Sequence, residues 1–244
     1  MAKKTVIASG KGGVGKSTIS AGLGYAFAEK GLKTLVIDCD AGLAGLDIIF
    51  GCSEKVNFTW SDISEERCTV NDAVTEINEK LFFIPSPSER LTEDYEDAIK
   101  NISEKLNDEY DIILFDAPAG LGRGLKRTLT AADNLIVVAT ADEISVKGAY
   151  ALERTAEEHG ISESRLIINR YDIKAAKKGK LLTIDEIIDK TSVQLIGIVP
   201  EDKNIMYRSV SRKKLKTAKS DKAFMRIAKR INGEYEELIL SQLK

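Results

Sequence analysis

Short apolar runs recur along the whole chain, at residues 5–8, 34–37, 81–84, 112–115, 135–139, 166–168 and 195–199. Several are continuously apolar rather than alternating, the pattern of parallel strands buried on both faces. Longer stretches of helical character lie between them. One covers 17–30 and stops at Gly31, a residue suited to the left-handed position after a helix. A second, 92–106, opens with Glu93, Asp94 and Glu96, acids that complement the positive end of a helix. A third, 143–159, stops before Gly160. This alternation predicts an α/β fold, a doubly wound and mostly parallel sheet flanked by helices. The prolines are scattered and neither a repeat nor a low-complexity linker interrupts the pattern, so residues 1–244 are expected to form a single domain. At its end, Phe224, Ile227, Ala228, Ile231, Tyr235 and Leu238 form an apolar stripe that predicts a final helix at about 220–240.

In sheets of this kind, ligands sit beyond the carboxyl ends of the strands. The polar and glycine-rich residues obey that rule. Residues 9–17 follow the first run, 38–47 the second and 116–124 the fourth, while Asn169 and Pro200-Glu201-Asp202 close two later ones. Their convergence on one rim is a stronger signal than any single motif.

The first of these segments, Gly10-Lys11-Gly12-Gly13-Val14-Gly15-Lys16-Ser17, fits the phosphate-binding pattern G-x-x-x-x-G-K-[ST] between a strand and a helix. Glycines let successive backbone N–H groups curl inward onto phosphate oxygens, at the positive end of the following helix. Lys16 is placed to reach the β- and γ-phosphates of ATP, and the Ser17 hydroxyl to ligate Mg2+. The run 111–116 ends an apolar strand in Asp116, an acid positioned for the same metal.

With Lys11 preceding Lys16, the run from Lys11 to Thr18 resembles the deviant phosphate loop of the MinD/ParA family of ATPases. The resemblance extends from Lys3 to about Val210, and 37–47, 117–120 and 197–202 resemble its division-site-regulating branch. It implies an ATPase that forms an ATP-dependent homodimer, slow alone and stimulated by a protein activator. In that family the early lysine, here Lys11, reaches across the dimer to the partner's nucleotide. Such a lysine acts as an arginine finger does, on charge developing at the transferred phosphoryl group. The resemblance also makes 38–47 a first switch segment, with Asp38 at the magnesium shell and Asp40 orienting the attacking water. It makes 116–124 a second, with the Gly120 N–H sensing the γ-phosphate. Asn169, Pro200, Glu201 and Asp202 resemble the family's adenine pocket.

Charge and cysteines then narrow the choices. The net charge is −2, but acids gather at 61–109 and bases at 203–230, where only Asp221 opposes the lysines and arginines. A basic segment can meet DNA non-specifically or an anionic lipid surface, or be a solvated helix face. Cys39, Cys52 and Cys68 form no C-x-x-C and all precede Asp116, which argues against a disulfide framework, a zinc site or a cluster-carrying relative. With no apolar signal-peptide core, a cytoplasmic protein is expected, with peripheral contact at the inner face of the membrane as a further option. The tail departs from the family's membrane helix, because its polar face is basic at Lys222, Arg226, Lys229 and Arg230 and then acidic at Glu234, Glu236 and Glu237. An interfacial helix favours a uniformly basic face. A last helix packed on the domain is therefore the first expectation, and a partition-type or flagellar-number ATPase stays open beside the division-site one. Trp60 is expected to anchor the region after the first switch or simply to pack, and His159 to lie at the surface.

Overall fold

A computed structural model describes residues 1–89, 95, 97–204 and 219–238. Its strands are β1 (Lys3–Ala8), β2 (Thr34–Asp38), β3 (Thr75–Asn78), β4 (Leu81–Ile84), β5 (Ile112–Asp116), β6 (Asn134–Ala139), β7 (Glu163–Tyr171) and β8 (Leu195–Pro200). They form one sheet in the order β3-β4-β2-β5-β1-β6-β7-β8. Every pairing is parallel except that of β3 with β4. All the strands expected from apolar runs are present. The antiparallel edge strand β3 was not expected, because Thr-Glu-Ile-Asn is short and largely polar, as an edge strand can be.

The helices among the described residues are α1 (Lys16–Glu29), α2 (Leu46–Phe50), α3 (Trp60–Ser64), α4 (Val70–Ala73), α5 (Ala98–Lys105), α6 (Arg123–Leu129), α7 (Glu143–Glu158), α8 (Ile173–Lys177), α9 (Ile184–Thr191) and α10 (Lys219–Ile231). Alternate residues of each strand serve opposite faces of the sheet. Ile7, Val36, Leu114, Ile136 and Ile167 pack with α1, α2 and α10. Val6, Ile37, Phe115, Val137 and Ile168 pack with α3, α5, α6, α7 and α9 on the other side. This two-sided burial is why the strands read as continuous apolar runs. The helix expected over 92–106 is shorter. It begins at Ala98 with no acid in its first turn, and residues 92–94 and 96 lie outside the described residues.

The final helix also differs from its expected length. Phe224, Ile227, Ala228 and Ile231 are buried on α10, but the helix ends at Ile231. Gly233, with φ of 81°, turns the chain, and the Gly233 and Glu234 N–H groups return to the carbonyls of Arg230 and Lys229. Tyr235 and Leu238, 92% and 40% exposed, are therefore not part of the helical stripe. The acids that made the tail look irregular serve this turn: Glu234 pairs with Lys30 at 2.6 Å and Glu236 with Lys229 at 2.8 Å. Arg230 donates to the carbonyls of Ile196, Glu236 and Glu237. Half of the expected basic segment 203–230, residues 205–218, lies outside the described residues.

Two glycines make room for α10. A Cβ at Gly22 of α1 would lie 2.4 Å from the Phe224 ring, and one at Gly197 of β8 would lie 2.3 Å from Ile227. Full burial of a side chain such as Phe224 contributes about 1.5–3 kcal/mol, and its removal leaves a cavity as well. Phe224→Ala should accordingly lower stability by about 3–5 kcal/mol in urea denaturation. An unchanged midpoint would mean that the ring is not part of the core.

Candidate functional site

The loop between β1 and α1 holds residues 9–15 at the centre of the sheet's carboxyl edge. Gly15 caps α1 with φ of 96°, a left-handed conformation that costs a residue with a Cβ. A Cβ there would also meet the Asn169 side-chain nitrogen at 2.5 Å. No acid occupies the first turn of α1, so its positive end and free N–H groups face the loop. Lys16 opens the helix and is buried, Ser17 and Thr18 follow half-buried, and Val14 is buried beneath the loop.

Two carboxylates close the floor of this loop. β2 and β5 are neighbours in register, so their last residues, Asp38 and Asp116, lie side by side. Both are almost wholly buried. Burial, then the adjacent Asp116 charge, pushes Asp38 up to about 7, against hydrogen bonds from the Asp40 and Leu46 N–H groups. Burial likewise pushes Asp116 up to about 6, opposed by hydrogen bonds from Ser17 and Ser20 and by the Lys16 charge. The Ser20 hydroxyl donates to Asp116 Oδ1 at 2.8 Å, a contact that sequence reasoning did not foresee. Asp40, half-buried, is raised by desolvation and drawn back by Lys16. Paired buried carboxylates beside a serine hydroxyl are a donor set of hard oxygens, and a Mg2+ ion there would relieve the repulsion between them. The residues present therefore fit this metal.

The surrounding strand ends grip the loop. Lys11 Nζ donates to Asp142 Oδ1 at 3.0 Å. Asp142 in turn caps α7 by accepting from the Ser145 N–H at 3.0 Å and also accepts from the Thr140 hydroxyl. Despite partial desolvation, those hydrogen bonds hold the Asp142 carboxyl below its usual range. The Ser9 carbonyl accepts from the Gly120 N–H at 3.1 Å, so that amide is directed at the loop's own backbone. Asn169 Nδ2 donates to the Val14 carbonyl at 2.7 Å, and Arg170 to that of Gly13 at 3.2 Å. Asn169 thus braces the loop with one of its amide N–H groups.

The residues closing β8 divide. Pro200 pairs with Tyr171, and the Glu201 N–H donates to the Tyr171 carbonyl. Asp202 is turned away to hold the Asn204 N–H and both the N–H and hydroxyl of Ser220. It is desolvated, yet these hydrogen bonds keep its carboxyl below the usual range. Through its carboxylate, Asp202 joins the end of β8 to the start of α10. Gly10, Gly12 and Gly13 complete the loop as expected, with only Gly13 of these three at positive φ. Asp142, Ser20 and Arg170 had no local motif to mark them; only the fold brings them to the loop.

Comparison with known proteins agrees with this geometry. A family model described as AAA domain matches residues 2–168. The septum site-determining protein MinD of Bacillus subtilis is 34% identical over 242 residues, covering 96% of this chain and 90% of that protein. MinD in the MinC:MinD cell division complex of Aquifex aeolicus superposes with a TM-score of 0.86 at 28% identity, covering 98% of both chains. The septum site-determining protein MinD of Pyrococcus horikoshii, complexed with Mg-ADP, gives a TM-score of 0.82 at 25% identity over 95% of this chain and 96% of that one. The phosphate loop, the paired carboxylates and these likenesses agree: the chain belongs to the MinD family of septum site-determining P-loop ATPases.

Proposed function

We propose that the chain is an ATP-dependent dimerisation switch for division-site placement, with hydrolysis completed by a second copy and stimulated by a protein activator. The observation that carries this reading is the position of Lys11. Its Nζ pairs with Asp142 at 3.0 Å, and both side chains are over one-third exposed. An exposed ion pair of this kind contributes only about 0–1 kcal/mol, so a triphosphate on a facing copy can replace it.

Around bound ATP the roles divide by position. The N–H groups of the loop from Gly10 to Thr18 and the Lys16 ammonium hold the phosphates. Ser17, Asp38 and Asp116 hold the Mg2+ ion. When bound, Mg2+ neutralises charge on the phosphate oxygens. Asp40 accepts a hydrogen bond from the attacking water and aims it, which matters more than base strength for a loose phosphoryl transfer. Lys11 from the second copy stabilises charge on the leaving phosphates. Gly120 joins this arrangement by giving up Ser9 for the γ-phosphate, so the second switch reports which nucleotide is bound. Asn169 keeps an N–H and its carbonyl for an adenine edge, next to the backbone of Pro200 and Glu201.

The docking surface is proposed on a different basis. No helix among the described residues is long and apolar enough to cross a membrane. The apolar stripe of α10 is occupied by the core. Peripheral contact with the inner face of the membrane from the cytoplasm would therefore rest on the basic segment 203–230 and the exposed Tyr235 and Leu238. Non-specific DNA contact through the same segment is the partition-type alternative.

Lys11→Ala should keep ATP affinity within about threefold while stimulated phosphate release falls on the order of 10³-fold or more. Titration of a fluorescent ATP analogue checks the first half; a loss of binding equal to that of Lys16→Ala would defeat the role in trans. Co-sedimentation should show pelleting with anionic vesicles in ATP but not in ADP. Pelleting with DNA that fades steeply with salt would instead favour the partition-type reading.

The carboxylate pair yields a pH dependence. A carboxyl whose folded pKa is raised stabilises the fold below its unfolded value, and that contribution is lost as pH rises through the folded one. For Asp116 and Asp38 the window runs from the ordinary 3.8 to about 6 and about 7. Nucleotide-free Asp116→Asn should therefore be more stable than the wild type at pH 8 by about 1–3 kcal/mol in urea denaturation, with the gap closing toward pH 4. Mg-ADP should reverse the order, because only the wild type keeps both metal-binding carboxylates.

A further inference from the structure

Trp60 is the one tryptophan in the chain, lies outside every motif discussed above, and is buried. Its indole Nε1–H donates to the main-chain carbonyl of Asp38 at 2.9 Å. That carbonyl belongs to the peptide joining Asp38 to Cys39, whose N–H donates to the Asp116 carbonyl at 2.9 Å. One peptide unit beside the two buried carboxylates is thus held from both sides, by β5 on one and by Trp60 on the other.

The need for an outside donor follows from the neighbouring strand. β4 pairs with β2 only as far as Ile84, opposite Ile37. The next residue, Pro85, has no N–H to offer, and Pro87 has none either. The Ser86 hydroxyl is directed to the Asp40 carbonyl. Trp60 fills the gap with two donors: its main-chain N–H bonds the Pro85 carbonyl at 3.1 Å while the indole bonds Asp38. It joins the ends of β2 and β4 where the sheet ladder stops.

Trp60 is itself firmly placed. It is the first residue of α3, behind a capping box in which the Thr59 N–H and hydroxyl both donate to Asp62 Oδ2 at 2.7 Å. Asp62 also pairs with Arg67 at 3.1 Å. The Tyr95 ring meets the indole edge-on at 5.8 Å, and the Tyr95 hydroxyl donates to Glu65, the residue that follows this short helix. A buried indole N–H requires a partner, and the one it meets here is the carbonyl of the residue that ends β2 beside Asp116.

We propose that Trp60 is a positioning residue for the magnesium carboxylates, setting through the Asp38 carbonyl how the Asp38 side chain is presented beside Asp116. The proposal rests on the assignment of Asp38 and Asp116 to the metal. It makes the α3 segment, which touches no phosphate-loop residue through this contact, a determinant of metal affinity. As the sole indole of the protein, Trp60 also reports metal binding at that site through its emission.

Trp60→Phe keeps an aromatic ring and deletes the donor. With a fluorescent ADP analogue bound, the Mg2+ concentration for half-saturation should rise severalfold, up to about tenfold, the limit set by the full worth of one neutral hydrogen bond. Affinity for the analogue in EDTA should stay within twofold of the wild type. A lowered melting temperature with unchanged metal half-saturation would reduce Trp60 to packing and overturn the proposal. In the wild type with ADP bound, Mg2+ should shift Trp60 emission along the same saturation curve; a flat response overturns it too, and decides the matter if the variant does not fold. Asp116→Asn separates the two levels. If it leaves the Mg2+ response intact, the metal assignment itself fails; if it abolishes the response while Trp60→Phe does not move it, only the positioning role fails.

Discussion

The side-by-side burial of Asp38 and Asp116 is the constraint around which the nucleotide edge is organised. Register alone places them there, because β2 and β5 are adjacent and both end in aspartate. Two carboxylates removed from water repel one another, and desolvation is the larger of the effects raising both pKa values. The surroundings offset this in part. Ser17, Ser20 and the Lys16 charge favour ionised Asp116, and the Asp40 and Leu46 N–H groups favour ionised Asp38. In the proposed role of these residues, a divalent cation would supply the rest of the balance.

The loop above the carboxylates is gripped by contacts that are individually weak. Lys11 rests on Asp142, Gly120 on Ser9, Asn169 on Val14 and Arg170 on Gly13. Each partner is a main-chain carbonyl or a partly exposed carboxylate, and a neutral hydrogen bond contributes only about 0.5–1.5 kcal/mol net. Phosphate groups compete well against such contacts. The groups proposed to exchange these contacts for nucleotide lie on three different strand ends.

The opposite behaviour is found at the chain's end. α10 is joined to the sheet by Phe224 over Gly22, Ile227 over Gly197, the Asp202 clasp on Ser220, and Lys3, whose Nζ donates to the Ile231 carbonyl. Its apolar face lies in the core, so it is not available as a docking surface without local unfolding. The change from basic to acidic residues along the tail has its physical reason in the turn at Gly233, where Glu234 and Glu236 answer Lys30 and Lys229.

Much of this protein can be read from local sequence. Continuous apolar runs between amphipathic stretches determined the parallel sheet, because strands buried on both faces leave no alternative pattern. The glycines of the phosphate loop, with Lys16 and Ser17, made phosphate binding the expectation, since chemistry and backbone geometry occupy one short segment. What tertiary structure alone decided depends on residues far apart in the chain. The edge strand β3 has too little apolar character to announce itself. The end of α10 was set by Gly233, while the stripe of apolar residues continued in sequence to Leu238. The contact of Asp202 with Ser220, 18 residues on, has no local signal and exists only because the fold brings Ser220 beside it. Lys11 was legible as an unusual lysine, but its resting partner Asp142 lies 131 residues away. Trp60 had two readings in sequence. Only the ending of β4 at a proline, beside an unmatched carbonyl of Asp38, gives its indole N–H a specific partner.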